Sequence, residues 1–510
     1  MSRYSIGIDI GTTSTKAVIF TDEGQVVAHH AIEYPLHSPE PRIAEQNPDE
    51  LVSAVHLSIK TAIEKSDIQK EDIKVLSFGS AMHSLIAVDE KGNPLTASIT
   101  WADQRSEDYA KRLRENNGQS IYEKTGTPIH PMSPLTKIMW LKEEKPEIFH
   151  RTRHFIGIKE YVFHRLFNEY VVDYSVASAT GLFNIHTLQW DEEALETAGI
   201  REEHLSRIVP TTEVFKELSE EKAQELGVLP HTPVVIGAND GCLANLGVNA
   251  IDEGVVALTI GTSGAIRTVT DKPVTDPKGR TFCYALTENH WVIGGPVNNG
   301  GMILKWLRDE LCQEEVLKAK ESGENAYDMI TEKAVKIKAG SEGLLFHPYL
   351  AGERAPSWNA NARGSFYGLA LHHKRDHMMR AVLEGINMNL YMVFLALEEL
   401  IGIPDKIHAT GGFAQSHNWR QMLSDIFNQE VHVPQTVESS CLGAAVLGRY
   451  AIGDIEALSD IKGMVQTEKI TKPSAENVEI YKKLLPIYIR LSRLFEEEYE
   501  AITAFQAKYH

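Results

Sequence analysis

Cysteine is scarce in this chain: Cys242, Cys283, Cys312 and Cys441 are the only four in 510 residues, they lie far apart, and none forms a CxxC pair. That argues against a zinc site and a disulfide framework and fits reduced thiols. Basic residues are outnumbered, 51 Lys and Arg against 70 Asp and Glu, which leaves a net charge of −19. Nucleic acid and acidic membrane surfaces are disfavoured as partners by that balance, and any anionic ligand must be drawn by local donors against the global field. No apolar run reaches the length needed to span a bilayer, and Met1-Ser2-Arg3 leads directly into a strand, so the expected location is cytoplasmic. Low-complexity tracts are missing, and no glycine precedes a Lys-Ser/Thr pair at the spacing of a Walker loop. What is present, 43% hydrophobic and 24% charged residues, is a globular composition in a chain too long for one core.

The most informative segment is Gly7-Ile8-Asp9-Ile10-Gly11-Thr12-Thr13-Ser14-Thr15-Lys16. Residues 4–10 read as a strand and residues 17–20 as its antiparallel partner, with a glycine, four hydroxyl residues and a lysine between them. Glycine lets the backbone turn tightly against a ligand, and the amides and hydroxyls supply donors for phosphate oxygens. Asp9 is placed to meet a hydrated divalent metal carried by those phosphates. The competing reading is an ordinary hairpin with a Gly-Thr turn. A second copy, Ala257-Leu258-Thr259-Ile260-Gly261-Thr262-Ser263-Gly264-Ala265, breaks the tie. Repetition at this distance points to a duplicated domain whose two hairpins clamp a polyphosphate from both sides. Thr259 replaces Asp9 in the second copy, so one half alone would hold the metal.

Strands alternate with helical patterns throughout, which makes the class α/β. Strands are expected at 75–78, 85–88, 234–236, 255–260, 291–294 and 407–410, and helices at 48–65, 377–400, 418–427 and 482–505. Pro48 suits the first turn after an Asn47 cap. A hinge is expected near 247–254, dividing the chain into domains 1–250 and 251–510, and the charged run 313–338 reads as a solvated helical face or insertion. Transfer of a phosphoryl group to an alcohol needs a base, and Asp240 in Gly237-Ala238-Asn239-Asp240-Gly241 stands at the carboxyl end of a strand, where open α/β sheets place ligands. Asn-Asp-Gly before a helix is also ordinary capping chemistry, and the local sequence favours that reading. Thr410-Gly411-Gly412-Phe413-Ala414-Gln415-Ser416 opens another helix, with paired glycines that let a flat base or ribose lie against backbone. Gly352-Glu353-Arg354-Ala355-Pro356 with Arg363-Gly364 reads as a structural loop between the two halves, while His83, Trp101, Asp103 and Arg105 follow predicted strands and could bind a polyol.

Taken together, these segments resemble the FGGY carbohydrate kinases, within the actin/hexokinase/Hsp70-like ATPase superfamily, over essentially the whole chain. Met132-Ser133-Pro134-Leu135-Thr136-Lys137-Ile138-Met139-Trp140-Leu141-Lys142-Glu143-Glu144 is similar to the family's first signature and residues 352–369 to its second. The resemblance implies two ribonuclease H-like domains with ATP in a cleft between them. It implies ATP contacts from Gly11, Thr12, Thr13, Ser14, Lys16, Gly261, Thr262, Gly300, Gly301, Gly411, Gly412 and Ser416. Asp240 falls on the family's catalytic aspartate, which outweighs the local preference for capping, and Mg²⁺ is expected at Asp9 and Asp240.

The acceptor is narrowed by Met82-His83, where glycerol kinases are expected to carry Arg-Glu and where xylulose kinases share Met-His. The strings Ile99-Thr100-Trp101-Ala102-Asp103-Gln104-Arg105 and Thr125-Gly126-Thr127-Pro128-Ile129-His130-Pro131 look most like the gluconate-phosphorylating members. The implied reaction passes the γ-phosphoryl of Mg-ATP to D-gluconate, giving 6-phospho-D-gluconate, with a pentulose or polyol as the alternative acceptor. Substrate contacts are expected from Met82, His83, Trp101, Asp103, Arg105, His130 and Asp240, and the carboxylate calls for His130, Arg105 or Lys137. For Lys137 a structural salt bridge is the stronger reading. A reading from another class, a nucleotide-driven conformational ATPase of the chaperone or filament kind, would keep both hairpins and need neither Asp240 nor a polyol pocket. A homodimer is expected from family habit.

Overall fold

The computed structural model describes residues 3–435 and 438–509. The chain forms two compact units, and neither is continuous in sequence: the first takes in 1–252, 269–293 and 436–466, the second 253–268, 294–435 and 467–510.

The first unit is built on six strands: β1 (Tyr4–Ile10), β2 (Ser14–Phe20), β3 (Val26–Glu33), β4 (Ile73–Ser80), β5 (Val214–Phe215) and β6 (Val234–Val235). Their order is β5-β6-β4-β1-β2-β3. β1 pairs antiparallel with β2 and parallel with β4, β6 runs parallel to β4, and β5 closes the edge antiparallel. Side chains alternate across this sheet. Ile6, Ile8, Ile10, Ala17 and Ile19 pack under the helix Pro48–Glu64, while Val18 and Phe20 join Leu243, Leu246, Cys441 and Leu447 in a separate core. The Pro48–Glu64 helix starts as expected, with Pro48 in its first turn and Asn47 Oδ1 accepting from Asp49 N at 3.0 Å. A helix from much later in the chain, Ser439–Ala451, returns to this unit and meets backbone directly. A Cβ on Gly7 would lie 1.8 Å from Cys441 O, one on Gly247 1.8 Å from Ser439 O, and one on Gly443 2.0 Å from Leu243 O.

A second sheet, most of it in the second unit, repeats the plan with β7 (Val255–Ile260), β8 (Gly264–Thr270), β9 (His290–Val297), β10 (Lys406–Thr410), β11 (Val431–Pro434) and β12 (Thr467–Thr471), in the order β12-β11-β10-β7-β8-β9, with a seventh strand, Phe282–Thr287, beyond β9. β7 is antiparallel to β8 and parallel to β10, β11 is parallel to β10, and β12 closes the edge antiparallel. Each of these pairings has its counterpart in the first sheet, and the repeat seen in two short strings extends through a whole strand order.

Two expectations are corrected. The run 482–505 is not one helix: Ala475–Leu494 ends at Phe495 and a second helix, Glu496–Tyr509, follows. One segment does have the length and apolar composition to cross a membrane, Arg375–Ile401, although the sequence reading found none. Within its most apolar stretch 78% is buried in protein, as befits the core helix of the second unit.

Candidate active site

The first hairpin turns more tightly than its sequence suggested. Only Gly11, Thr12 and Thr13 lie between the strands, because Gly11 N donates to Ser14 O at 3.0 Å and Asp9 already faces Lys16 in register. Thr15 is buried and bonds Tyr34 Oη at 3.1 Å, and that phenol donates to Gly11 O at 2.6 Å, so the turn is held from beneath. From the side, Gln46 Nε2 donates to Thr12 O at 2.6 Å and Trp101 Nε1 to Thr12 Oγ1 at 2.9 Å. Trp101, expected against the acceptor, thus also touches a residue expected against phosphate.

Asp9 is raised above the usual carboxylate range by burial, with the Ser440 hydrogen bond and Lys16 pulling it down and Glu438 pushing it up. Ser440 Oγ donates to Asp9 Oδ2 at 2.6 Å, while Oδ1 is buried and has no hydrogen-bond partner among the described residues. A buried carboxylate oxygen without a protein donor is the kind of acceptor that a hydrated divalent cation uses. Lys16 is directed at Glu438, with Nζ 3.0 and 3.1 Å from its two oxygens. Burial weighs against the Lys16 ammonium, but the Glu438 contact outweighs it and holds the charge.

At the other end of the first unit, the roles of Asn239 and Asp240 are separated. Asn239 Oδ1 accepts from Cys242 N at 2.8 Å and caps the helix Asp240–Gly247. Asp240 is therefore not the cap, which corrects the local reading; it is the first helical residue, with Oδ1 on Gly241 N at 2.8 Å. The segment before it is pinned: Lys159 Nζ donates to Ala238 O at 3.0 Å and Asn239 N to Ser175 Oγ at 3.1 Å.

Among the expected acceptor contacts, His83 adopts φ 69°, a left-handed conformation rare outside glycine. Its Nδ1 donates to Ala179 O at 2.6 Å, which fixes the tautomer, and Nε2 lies 3.4 Å from Tyr284 Oη. Tyr284 was missed by the sequence reading; it arrives on the strand Phe282–Thr287, two hundred residues away, with no motif of its own. Met82 packs against the core that holds Val18 and Leu243. Asp103 is buried and committed to Ala44 N at 3.0 Å and to Arg105 Nε at 3.0 and 3.1 Å. Arg105 also pairs with Glu45 and stacks 4.6 Å over the Trp140 ring. His130 Nδ1 accepts from Met132 N at 3.1 Å. Lys137 makes no salt bridge among the described residues and instead donates to carbonyls of His83, Ile99 and Thr100.

In the second unit, Gly261 N donates to Ser263 O at 2.9 Å, and the helix Gly301–Trp306 starts against the turn, with Gly301 N on Gly261 O at 2.7 Å and Met302 N on Thr262 O at 3.0 Å. A Cβ on Gly300 would meet Ser263 at 2.5 Å, so Gly300 and Gly301 serve close packing. Thr259 bonds Thr410 at 2.8 Å where the first unit has Asp9. Gly411 has φ 94° and sits over Ile260, while the space at Gly412 is open to 4 Å among the described residues, which suits a flat ring. Ser416 caps the helix His417–Phe427. Glu353 is buried, raised above its ordinary range by burial, and bonded to Asn299, Asn389 and the Asn298 and Arg354 amides, as a structural loop requires. Among the described residues, no group of three or more His, Cys, Asp or Glu could hold a metal ion by itself.

The profile of the FGGY family of carbohydrate kinases, N-terminal domain, matches residues 4–247, and that of its C-terminal domain matches 256–452. The chain is 55% identical over 508 residues to the gluconokinase of Bacillus subtilis (strain 168), covering 99% of both. Two solved structures from Lactobacillus acidophilus, a gluconate kinase and a ligand-bound xylulose kinase, are 39% and 40% identical, each with TM-score 0.93 and covering 98% of this chain and 100% of theirs. The fold is thus the two-domain, actin/hexokinase-like ATPase fold, and the chain belongs to the FGGY family of carbohydrate kinases.

Proposed function

We propose that this kinase phosphorylates D-gluconate with ATP, giving 6-phospho-D-gluconate and ADP. The observation that carries the reading is the division of roles at the start of the Asp240–Gly247 helix. Asn239 does the capping, Lys159 and Ser175 hold the backbone, and the Asp240 carboxylate stands at the first helical position, where it can meet a substrate hydroxyl. Asp240 accepts the proton of the terminal hydroxyl, that oxygen forms the new bond to phosphorus, and the bond to the bridging oxygen breaks to release ADP. His83, held in one tautomer beside Tyr284, orients the polyol together with Trp101 and His130.

Residues 1–250 supply the acceptor site, the first phosphate hairpin and the base, and residues 251–510 the second hairpin and the adenosine contacts at Gly411 and Gly412. Asp9 Oδ1 is the acceptor for Mg²⁺ or its water. Bound there, the ion would neutralise phosphate charge and orient the γ-phosphoryl. Four buried free thiols support a reducing, cytoplasmic location. Identity of 55% with a gluconokinase favours gluconate, whereas the xylulose kinase structure and the Met82-His83 pair keep a pentulose as the second reading.

The deciding experiment is ADP release with Mg-ATP against D-gluconate, D-xylulose, L-ribulose and glycerol. Turnover highest with gluconate in kcat/KM supports the proposal. Preference for xylulose overturns the acceptor and keeps the chemistry, and ATP hydrolysis indifferent to every sugar would point to a conformational ATPase.

A further inference from the structure

Two lysines of the first unit are almost completely buried, Lys137 at 1% and Lys159 at 2% exposure. Lys159 has a carboxylate partner, Asp173, at 2.7 Å. Lys137 has none within ion-pair distance among the described residues. Its Nζ instead donates to three backbone carbonyls, His83 O at 2.6 Å, Thr100 O at 2.8 Å and Ile99 O at 3.3 Å. An ammonium has three N–H groups, so every donor is matched and none is left for a substrate carboxylate. Carbonyls only accept, so the site satisfies the charged form, although burial drags the amine down to about 7, with Asp103 raising it and Arg105 lowering it further.

The three carbonyls belong to two segments. One is the Met82-His83 turn, whose His83 holds φ 69° and whose ring donates to Ala179 O. The other is the strand end Ser98–Ile99, running through Thr100 into Trp101, whose indole bonds Thr12. Two direct hydrogen bonds, Leu85 N to Ile99 O and Ile99 N to Leu85 O at 2.9 Å each, align the segments further along. At His83 itself the ammonium is what links them.

We propose that Lys137 is the positioning residue of the acceptor site, setting His83 and Trp101 at a fixed separation by gathering their backbones on one charge. This rests on His83 and Trp101 being acceptor contacts. A general structural pin would lower stability and active fraction alike. A positioning residue shifts acceptor affinity more than nucleotide affinity, because it gathers the His83 and Trp101 backbones directly and reaches a nucleotide group only through the Trp101–Thr12 hydrogen bond.

The test compares wild type with Lys137→Met, which keeps length and removes every donor, and Lys137→Arg, which keeps charge and donors. Each is assayed with whichever acceptor wild type uses best. The expected result for Lys137→Met is a rise of at least tenfold in KM for the acceptor, with KM for ATP changed less than twofold and partial recovery in Lys137→Arg. Amide hydrogen exchange gives a readout independent of turnover: exchange should speed up at 81–85 and 98–102 and stay unchanged in β1 and β4. Should Lys137→Met not fold, Lys137→Arg is read by the same two measures, its shifted donors loosening the same two segments. Equal changes in both KM values, or unaltered exchange in both segments, overturns the proposal. A wild type that prefers xylulose overturns the gluconate reading alone, and the Lys137 comparison then proceeds with xylulose.

Discussion

Asp240 and Asn239 are neighbours of similar chemistry, and the structure gives the helix cap to one and the first helical position to the other. From sequence the pair is ambiguous, because either residue can cap; Ser175, sixty-four positions earlier, resolves it by seating the Asn239 amide. No local pattern reveals such a partner. Asp240→Asn keeps size and hydrogen bonding and loses the base, so kcat should fall by about 10² or more with stability unchanged, as read by the coupled assay on folded protein. Near-normal kcat would remove Asp240 from the reaction. Glu160 offers a different check. Its carboxyl is buried, caps the helix Ile158–Phe167 through the Gly157 amide, and is pushed up to about 7 by burial. A carboxyl raised on folding is protonated in the native state and ionised in the unfolded state between its two values, so this group weakens the fold as pH rises from about 4.5 to about 7. Glu160→Gln should match wild type near pH 4 and exceed it by up to about 3 kcal/mol near pH 8, measured by denaturant unfolding at each pH. A constant difference across that range would contradict the assignment.

Elements were legible where a local signal and the tertiary environment agreed. The Pro48–Glu64 helix has its cap, its proline and an apolar face at Leu51, Val55 and Ile59, and it was read to within one residue. The C-terminal run failed because its apolar spacing carries through Phe495 without interruption. The break at Phe495, whose ring lies edge-on to His347 at 5.5 Å, leaves no mark in that spacing. The first hairpin was mis-sized for a related reason: hydroxyl residues suggest a turn, yet Thr15 serves the core through Tyr34. The helix Ser439–Ala451 shows what packing adds beyond pattern, since Gly7, Gly247 and Gly443 let it meet a strand and a helix at backbone distance. Gly443→Ala would drive a methyl into Leu243 O and should cost about 1–3 kcal/mol or more, with lower kcat as Asp240's helix shifts. Gly463→Ala, which has open space to 4 Å among the described residues, should be neutral. Thermal midpoints of the two variants, measured side by side, decide the point.

For the whole molecule, the repeated strand order was foreshadowed by two short strings, whereas the interleaving of the units was not. Hydrophobic pattern gives no sign that residues 436–466 belong with the first 252. The boundary expected near residue 250, just before the second hairpin, therefore supports a sharp test. A fragment of residues 1–250 lacks Ser440, which bonds Asp9, and Glu438, which bonds Lys16, along with Cys441 and Leu447 of its core. It should be poorly soluble and without a cooperative melt by circular dichroism, and co-expression with residues 251–510 should restore both. A well-folded fragment would show that the returning helix is dispensable. The same feature sets a clock on biosynthesis. At about 5–20 residues per second, the first hairpin leaves the ribosome roughly twenty to ninety seconds before the helix that completes it. Throughout that interval Asp9 and Lys16 wait without Ser440 and Glu438, so the first hairpin is held in its final form only after residues 436–451 have been made.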